Sequence, residues 1–302
     1  TQSSGSNDVN SPASAWKINV DSFSNVSTRP SFFEMTIADP QQDSKYKMAT
    51  WNHMFTGENA DIMQQGQGFG QWKIGENIDE ELMKIISSSN IATGFHAGDP
   101  NSMMNLVRLA KKYKVKIGVH PGYQDKRGFG RRFIETSSEE LINDIIYQIG
   151  ALREFSNINN LELQHIKLHG ALYMEAAKNQ ELSNLLISNL QKISPKLLLY
   201  CMDISKTYLL ARKVNYPTIR EFFADRDYDD NGAIVFTKDV GLLNPEKIAK
   251  KCLKACKTGL VKTVSGNDIK IKFETICFHS DTTGALKIGK AIETKSLNYV
   301  KD

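Results

Sequence analysis

Four of the six histidines in this 302-residue chain occupy the same kind of position. Each closes a short apolar run and is followed by polar, small or turn-forming residues: His96 after 91–95, His120 after 115–119, His169 after 163–168 and His279 after 275–278. A single histidine in a turn is usually a satisfied polar residue or a cap. Four in one kind of position are better explained by a shared site. Asp21, Asp99, Asp125, Asp225 and Asp281 stand at or near comparable strand ends, together with Lys167 and Arg226. Imidazole and carboxylate suit proton transfer near neutral pH. Lysine and arginine suit a carboxylate, a phosphate or a developing oxyanion. There is no G-x-S-x-G serine elbow. The expected nucleophile is therefore water activated by a base, with or without a metal.

These side chains share an opening only if the elements beneath them run in parallel. Between His96 and His120, Met103, Met104, Leu106, Val107 and Ala110 recur at helical spacing, so the unit reads strand, loop, helix, strand, loop. Such a crossover returns both strands in one direction and puts both loops at one end of a sheet. The pattern continues. A helix is expected from Ser137, an N-cap with Glu140 three residues on as in a capping box, with Leu141, Ile145, Ile149 and Leu152 on one face. Strands follow at 161–168, 197–202, 218–223 and 275–278, and helices at 180–192, 204–213, 245–257 and 283–292. His165 and Lys167 alternate with Ile166 and Leu168 and share a face.

Counting a strand at 16–21 that ends in Asp21, about seven strands alternate with about seven helices. The polar strand ends are spread along the whole chain, which favours a closed β/α barrel over an open sheet with one switch point. Residues 1–15 are Ser- and Asn-rich and are expected to be disordered. Residues 16–302 are expected to form a single barrel domain. Residues 22–65 keep neither period and read as an irregular insertion, followed by a glycine-rich turn at 66–70.

Composition removes other classes. Hydrophobic residues make up 40% and charged residues 24%, ordinary for a globular protein that buries a sizeable core. The net charge of +4 comes from scattered lysines without interleaved aromatics, so nucleic-acid binding is not indicated. Four cysteines without a C-x-x-C pair argue against a disulfide scaffold or a zinc knuckle. No apolar run has the length of a membrane span and no signal-peptide layout opens the sequence, so a cytoplasmic location is expected.

The motifs T-G-F-H-A-G-D-P, V-H-P-G-Y-Q-D-K-R-G-F-G-R-R, Y-Q-I-G-A-L, H-I-K-L-H-G-A-L-Y, E-F-F-A-D-R-D-Y and C-F-H-S-D-T-T-G-A run in order through about residues 66–291. Together they resemble the LamB/YcsF family, whose best-known activity is that of the A subunit of 5-oxoprolinase. The resemblance implies a distorted seven-stranded, TIM-like parallel β/α barrel of the glycoside hydrolase/deacetylase type. It implies ATP-dependent opening of 5-oxoproline (pyroglutamate) or a similar lactam to the amino acid, with partner subunits in bacterial members. ATP is then the expected cofactor, bound by this chain or a partner, and a divalent metal is left open with no ligands assigned. On this reading His96, His120, His169, Asp225 and Asp21 are the candidate catalytic residues. Lys167, Arg226, Asp99, His279 and Asp281 are the candidates for holding substrate or phosphate.

The chain departs from the family pattern near its start. That pattern runs I-N-x-D-x-G-E-x-F-G without a break. Here Ile18-Asn19-Val20-Asp21 matches its first half and Gly66–Gly70 its second, with Gln67 in place of the Glu; Asn59-Ala60-Asp61 is a rival for the Asn-x-Asp element. Thr93, Leu168 and Ser280 are milder changes from Cys, Pro and Gly. Since glutamine cannot act as a base, a catalytically impaired or non-catalytic subunit is the first alternative. A metal-dependent deacetylase-like hydrolase is the second.

Overall fold

The computed structural model describes the backbone of strands 15–20, 32–38, 46–56 and 63–73 and of residues 78–301 other than 238 and 239, with side chains over 78–295. Two compact units divide the chain, 1–77 and 78–302.

In the first unit, β1 (Ala15–Val20), β2 (Phe32–Ala38), β3 (Tyr46–Thr56) and β4 (Met63–Lys73) form an antiparallel sheet in that order. The strand expected at 16–21 is therefore present, but β1 pairs antiparallel with β2 and is no member of the parallel sheet. Three strands occupy ground that reads in the sequence as aperiodic or as a glycine turn, and Gln67 lies within β4 opposite Asn52. In β4 the glutamines and glycines mask the alternation that identifies a strand. Residues 1–14 and Asp21 lie outside the described residues.

The second unit follows the alternating pattern. Its elements are α1 (Ile78–Met83), β5 (Ser88–Ala92), α2 (Pro100–Tyr113), β6 (Lys116–His120), α3 (Ser138–Ile158), β7 (Leu163–Ile166), α4 (Gly170–Lys178), α5 (Gln180–Ile193), β8 (Leu198–Cys201), α6 (Lys206–Lys213), β9 (Thr218–Phe223), α7 (Pro245–Thr258), β10 (Leu260–Lys262), β11 (Asp268–Lys270), β12 (Thr275–Cys277) and α8 (Ala285–Lys301). β10 and β11 form a separate antiparallel hairpin that the periodicity does not signal. The other six strands form one sheet in the order β12-β9-β8-β7-β6-β5, parallel throughout. This is a parallel half-barrel. Among the described residues β5 and β12 are its edges, and no ladder joins them; α8, which follows β12, packs against α1, which precedes β5.

The expected helices form, α8 runs on beyond the expected 283–292, and α4 is a helix that the sequence reading does not anticipate. Ser137 caps α3 and Glu140 returns a bond to the Ser137 N–H, a device worth about 1 kcal/mol. Leu141, Ile145, Ile149 and Leu152 of α3 are all buried against the sheet. Asn244 caps α7, whose first residue is Pro245.

The inner face of the sheet is unusually polar. Side chains two residues apart on a strand point the same way, and these stack in layers. In the lower layer the His165 ring lies over Gly118, where a Cβ would come within 2.1 Å of the imidazole. His165 Nε2 meets Asn90 Oδ1 at 2.8 Å, and its ring stacks on Tyr200. Above it, Lys167 Nζ lies 2.6 Å from Glu221 Oε2 and 2.9 Å from Cys277 Sγ, with Phe223 beneath the ammonium at 4.5 Å. Burial works against the Lys167 charge, but Cys277 and Glu221 outweigh it and hold the ammonium above its ordinary range.

Breaking a buried pair leaves one charge without a counter-charge. Lys167→Met is expected to cost about 3–5 kcal/mol in denaturant unfolding, and Lys167→Met with Glu221→Leu to recover most of that. A double variant no more stable than the single one would show that the pair does not act as a unit.

Candidate functional site

The mouth of the half-barrel is built by extending the β6–β7 ladder past the end of β7. The Lys167 N–H donates to the Val119 carbonyl at 3.0 Å, and the His169 N–H to that of Pro121 at 2.8 Å. His120 and His169 are thereby neighbours. His169 is the N-cap residue of α4 but makes no side-chain capping bond, so its ring is free to turn into the mouth.

Each ring is then held from outside by a backbone carbonyl. His120 Nδ1 lies 2.7 Å from the Lys167 carbonyl, and His169 Nε2 lies 2.7 Å from that of Phe129. Only an N–H can face a carbonyl, so both nitrogens are donors. The remaining two, His120 Nε2 and His169 Nδ1, face each other at 2.9 Å. His96 lies stacked on His169, ring centroids 3.8 Å apart, and its buried Nδ1 has no hydrogen-bond partner among the described residues. Burial is the first cause that pushes all three imidazoles below their usual range; His169 falls to about 4, while His96 and His120 fall well below 6.5.

The loop after β6 supplies the Phe129 carbonyl. Asp125, buried, accepts from the Gly128 N–H at 2.8 Å and from the Arg132 guanidinium, Nε at 3.0 Å. Phe129 and Gly130 both take positive φ, 55° and 64°. A Cβ on Gly130 would come within 2.7 Å of His96 and 2.8 Å of His169. Gln148 of α3 pins the start of the loop, accepting from Gly122 and Thr93 and donating back to the Gly122 carbonyl.

A second cluster forms where β9 and β12 end. Asp225 accepts from His279 Nδ1 at 2.9 Å, the His279 backbone N–H at 3.0 Å and the Thr282 hydroxyl at 2.7 Å, and lies 3.2 Å from Arg226 Nη1. Burial alone would raise its carboxyl; His279 and Arg226 outweigh burial and hold it well below the usual carboxylate range. Lys251 of α7 clamps the turn, with Nζ donating to the carbonyls of Phe223, Ala224 and Arg226. A cleft of about 430 Å³, counted out to open solvent, joins the two clusters and is lined by His120, His169, His279, Lys167, Arg131 and Arg226 among others.

Of the residues singled out in the sequence, His120, His169, His279, Lys167 and Arg226 meet at this cleft. Asp225 stands behind His279, and His96 behind His169. Asp281 sits at the rim and pairs with Arg131 at 2.6 Å. Asp99 does not join them: it is exposed and caps α2, accepting from the N–H groups of Asn101 and Ser102. Asp125 locks the loop instead of facing the cleft. Glu221 and Arg131 are not among the candidates that the sequence suggests. Glu221 has a readable signal, standing two residues before Phe223 and four before Asp225 on one strand face.

A family model for LamB/YcsF proteins matches residues 59–299. The chain belongs to the LamB/YcsF family. It is 52% identical over 223 residues to a 5-oxoprolinase A subunit of Pseudomonas aeruginosa, covering 74% of this chain and 88% of that one. It is 39% identical over 248 residues to the 5-oxoprolinase A subunit of Thermococcus onnurineus, covering 80% and 95%. The crystal structure of the lactam utilization protein of Thermus thermophilus superposes with a TM-score of 0.69 at 32% identity, over 76% of this chain and 92% of that one. The LamB/YcsF match begins at Asn59 and so takes in the rival Asn-x-Asp element at 59–61. Asp21 precedes the matched region.

Gly130→Ala is expected to lower stability by about 1–3 kcal/mol through its positive φ alone, with the collision against His96 and His169 added. Denaturant unfolding checks this; unchanged stability would mean that the loop relaxes freely. The Asp225 carboxyl has a depressed folded value, so its stabilisation is present above about pH 4 and is lost as pH falls below that. Asp225→Asn should therefore flatten the acid limb of stability against pH; parallel acid limbs would refute the assignment.

Proposed function

We propose that this chain is the A subunit of a 5-oxoprolinase, a hydrolase that opens 5-oxoproline or a similar lactam to the amino acid with consumption of ATP. The relatives named as 5-oxoprolinase A subunits support the substrate class, and their being named as subunits supports partner chains. The observation that carries the reading on this chain is the cleft with the Asp225-held His279 on one side and the His120–His169 pair on the other. The seven-stranded, TIM-like barrel of the glycoside hydrolase/deacetylase type belongs to the same proposal, with the six parallel strands as its greater part.

An unstrained five-membered lactam resists attack by water. Transfer of the γ-phosphoryl group of ATP to the lactam oxygen releases ADP and leaves an electrophilic carbon. Water adds there and gives its proton to a base. The ring C–N bond then breaks, with the nitrogen taking a proton, and a second water hydrolyses the acyl phosphate to glutamate and phosphate. His279 is the better base, because Asp225 accepts from its Nδ1 and leaves Nε2 to take the proton. Arg226 and Arg131, which line the cleft while paired with Asp225 and Asp281, hold the substrate carboxylate or phosphate, whereas Lys167 is closed in with Glu221. ATP binds this chain or one of its partners.

The metal-dependent deacetylase reading keeps the same cleft and differs in substrate. The non-catalytic reading rests on Gln67, which stands where the family has Glu. Glutamate release from 5-oxoproline, with and without ATP, by the chain alone and with its partner subunits, tests the lactam-opening reading against the other two. Release only with ATP and partners is expected, and no release under any combination would overturn the proposal. His279→Asn is expected to reduce that release by about 10²–10⁴-fold; full activity in this variant would remove His279 as the base. No helix among the described residues is long and apolar enough to cross a membrane.

A further inference from the structure

The three histidines at the mouth leave a problem that hydrogen bonding does not solve. With Lys167 and Phe129 carbonyls taking one N–H from His120 and one from His169, the neutral rings turn two lone pairs at each other across 2.9 Å. Lone pairs at that distance repel unless a cation lies between or beside them. One candidate is a shared proton, which would make an imidazolium in a site where burial opposes charge. The other is a metal ion.

We propose that His96, His120 and His169 form a three-histidine site for a divalent transition-metal ion of the zinc type, with its remaining position open to the cleft.

Four observations carry it. One ring nitrogen from each histidine lies within 4.8 Å of the others. A tetrahedral ion with bonds of 2.0–2.1 Å puts imidazole nitrogens roughly 3.3 Å apart, so the widest pair has to close by at most about 1.5 Å, the His120–His169 pair has to open slightly from 2.9 Å, and the His96 ring has to turn out of its stack on His169. The outer N–H of His120 and of His169 is held by a backbone carbonyl, the usual means of fixing the tautomer of a metal-ligating histidine. His96 is 2% exposed and its Nδ1 has no hydrogen-bond partner among the described residues, a buried polar atom that lacks its counterpart. Finally, Gly122 and Gly130 stand where any Cβ would run into these rings, so the backbone is cut away around the cluster.

The donor set selects the metal. Three neutral imidazoles suit zinc, and also copper, nickel or iron, and do not suit magnesium or calcium, which take oxygen ligands. Three protein ligands with one open position is the arrangement of hydrolytic zinc sites. Charge accounting around the cleft agrees. Arg131, Lys167 and Arg226 are each matched by Asp281, Glu221 and Asp225, so a bound cation would supply net positive charge for an anionic substrate. That ion would polarise the lactam carbonyl or hold the attacking water, a role that rests on the function proposed above. The site itself does not depend on that reading.

The test is metal binding by the purified full chain, without lactam, ATP or partners. After chelation and dialysis, Zn²⁺ titration with elemental analysis is expected to give one ion per chain, and Co²⁺ to give visible absorption bands. His96→Asn, His120→Asn and His169→Asn should each weaken binding at least tenfold, while His279→Asn binds as the parent does. ¹⁵N-histidine spectra of the parent protein should show unprotonated His120 Nε2 and His169 Nδ1 shifting on Zn²⁺ addition, which keeps the test valid if a variant fails to fold. A folded parent chain that takes up no stoichiometric Zn²⁺ or Co²⁺, or a third N–H found between the two rings and unmoved by metal, overturns the site. So does equal loss of binding in His279→Asn. Lactam opening is measured separately, so metal without activity sinks the proposed function and not the site.

Discussion

The Lys167 ammonium, closed in by Glu221, Cys277 and the Phe223 ring, is the constraint on which the mouth of the half-barrel depends. A buried cation is tolerable only with its counter-charge in place, so β7, β9 and β12 cannot slide past one another without separating the two. The same residue works through its backbone. Its N–H extends the ladder to Val119, and its carbonyl takes the His120 N–H. One position thus couples the interior charge layer to the histidines above it.

Around that centre, the site is positioned mainly by groups that do not face the cleft. Asp125 and Arg132 lock the loop that carries the Phe129 carbonyl to His169. Gln148 ties the beginning of the same loop to α3. Lys251 gathers three carbonyls of the turn that presents Asp225 and Arg226. Each is a polar side chain on a helix or loop, and most of the partners are main-chain atoms. Such contacts fix a backbone path, and the path aims the histidines.

The polar inner face of the sheet explains why this chain reads clearly in some places and poorly in others. Parity along the strands sorts the inward set: Gly118 and His120, His165, Lys167 and His169, Glu221, Phe223 and Asp225, Cys277 and His279. In the sequence only His165 and Lys167 stand out as sharing a face. Glu221 does not, because an acid on a strand reads equally well as solvated. Asp99 misleads for the opposite reason. An acid after a histidine at a strand end looks like part of a site, whereas Asp-Pro before a helical run is also a capping signal, and capping is what it does. The first 77 residues are the least legible. β4 there is rich in Gln and Gly, and the family match starts only at Asn59.

The amino-acid sequence determined the parallel alternation of strands and helices, the helix caps, the four histidines at strand ends and the family. All of these are local: each is set by period, by a turn residue or by a short motif, and a motif is visible without its partners. Only the tertiary structure decided which of those polar ends meet. That Lys167 is spent on Glu221, that Asp225 serves His279 and that two imidazole lone pairs confront each other beside a third ring depends on contacts between residues about 50 or more positions apart. Such contacts are fixed by strand order and register, which arise from the packing of the whole unit and leave no trace in any one segment.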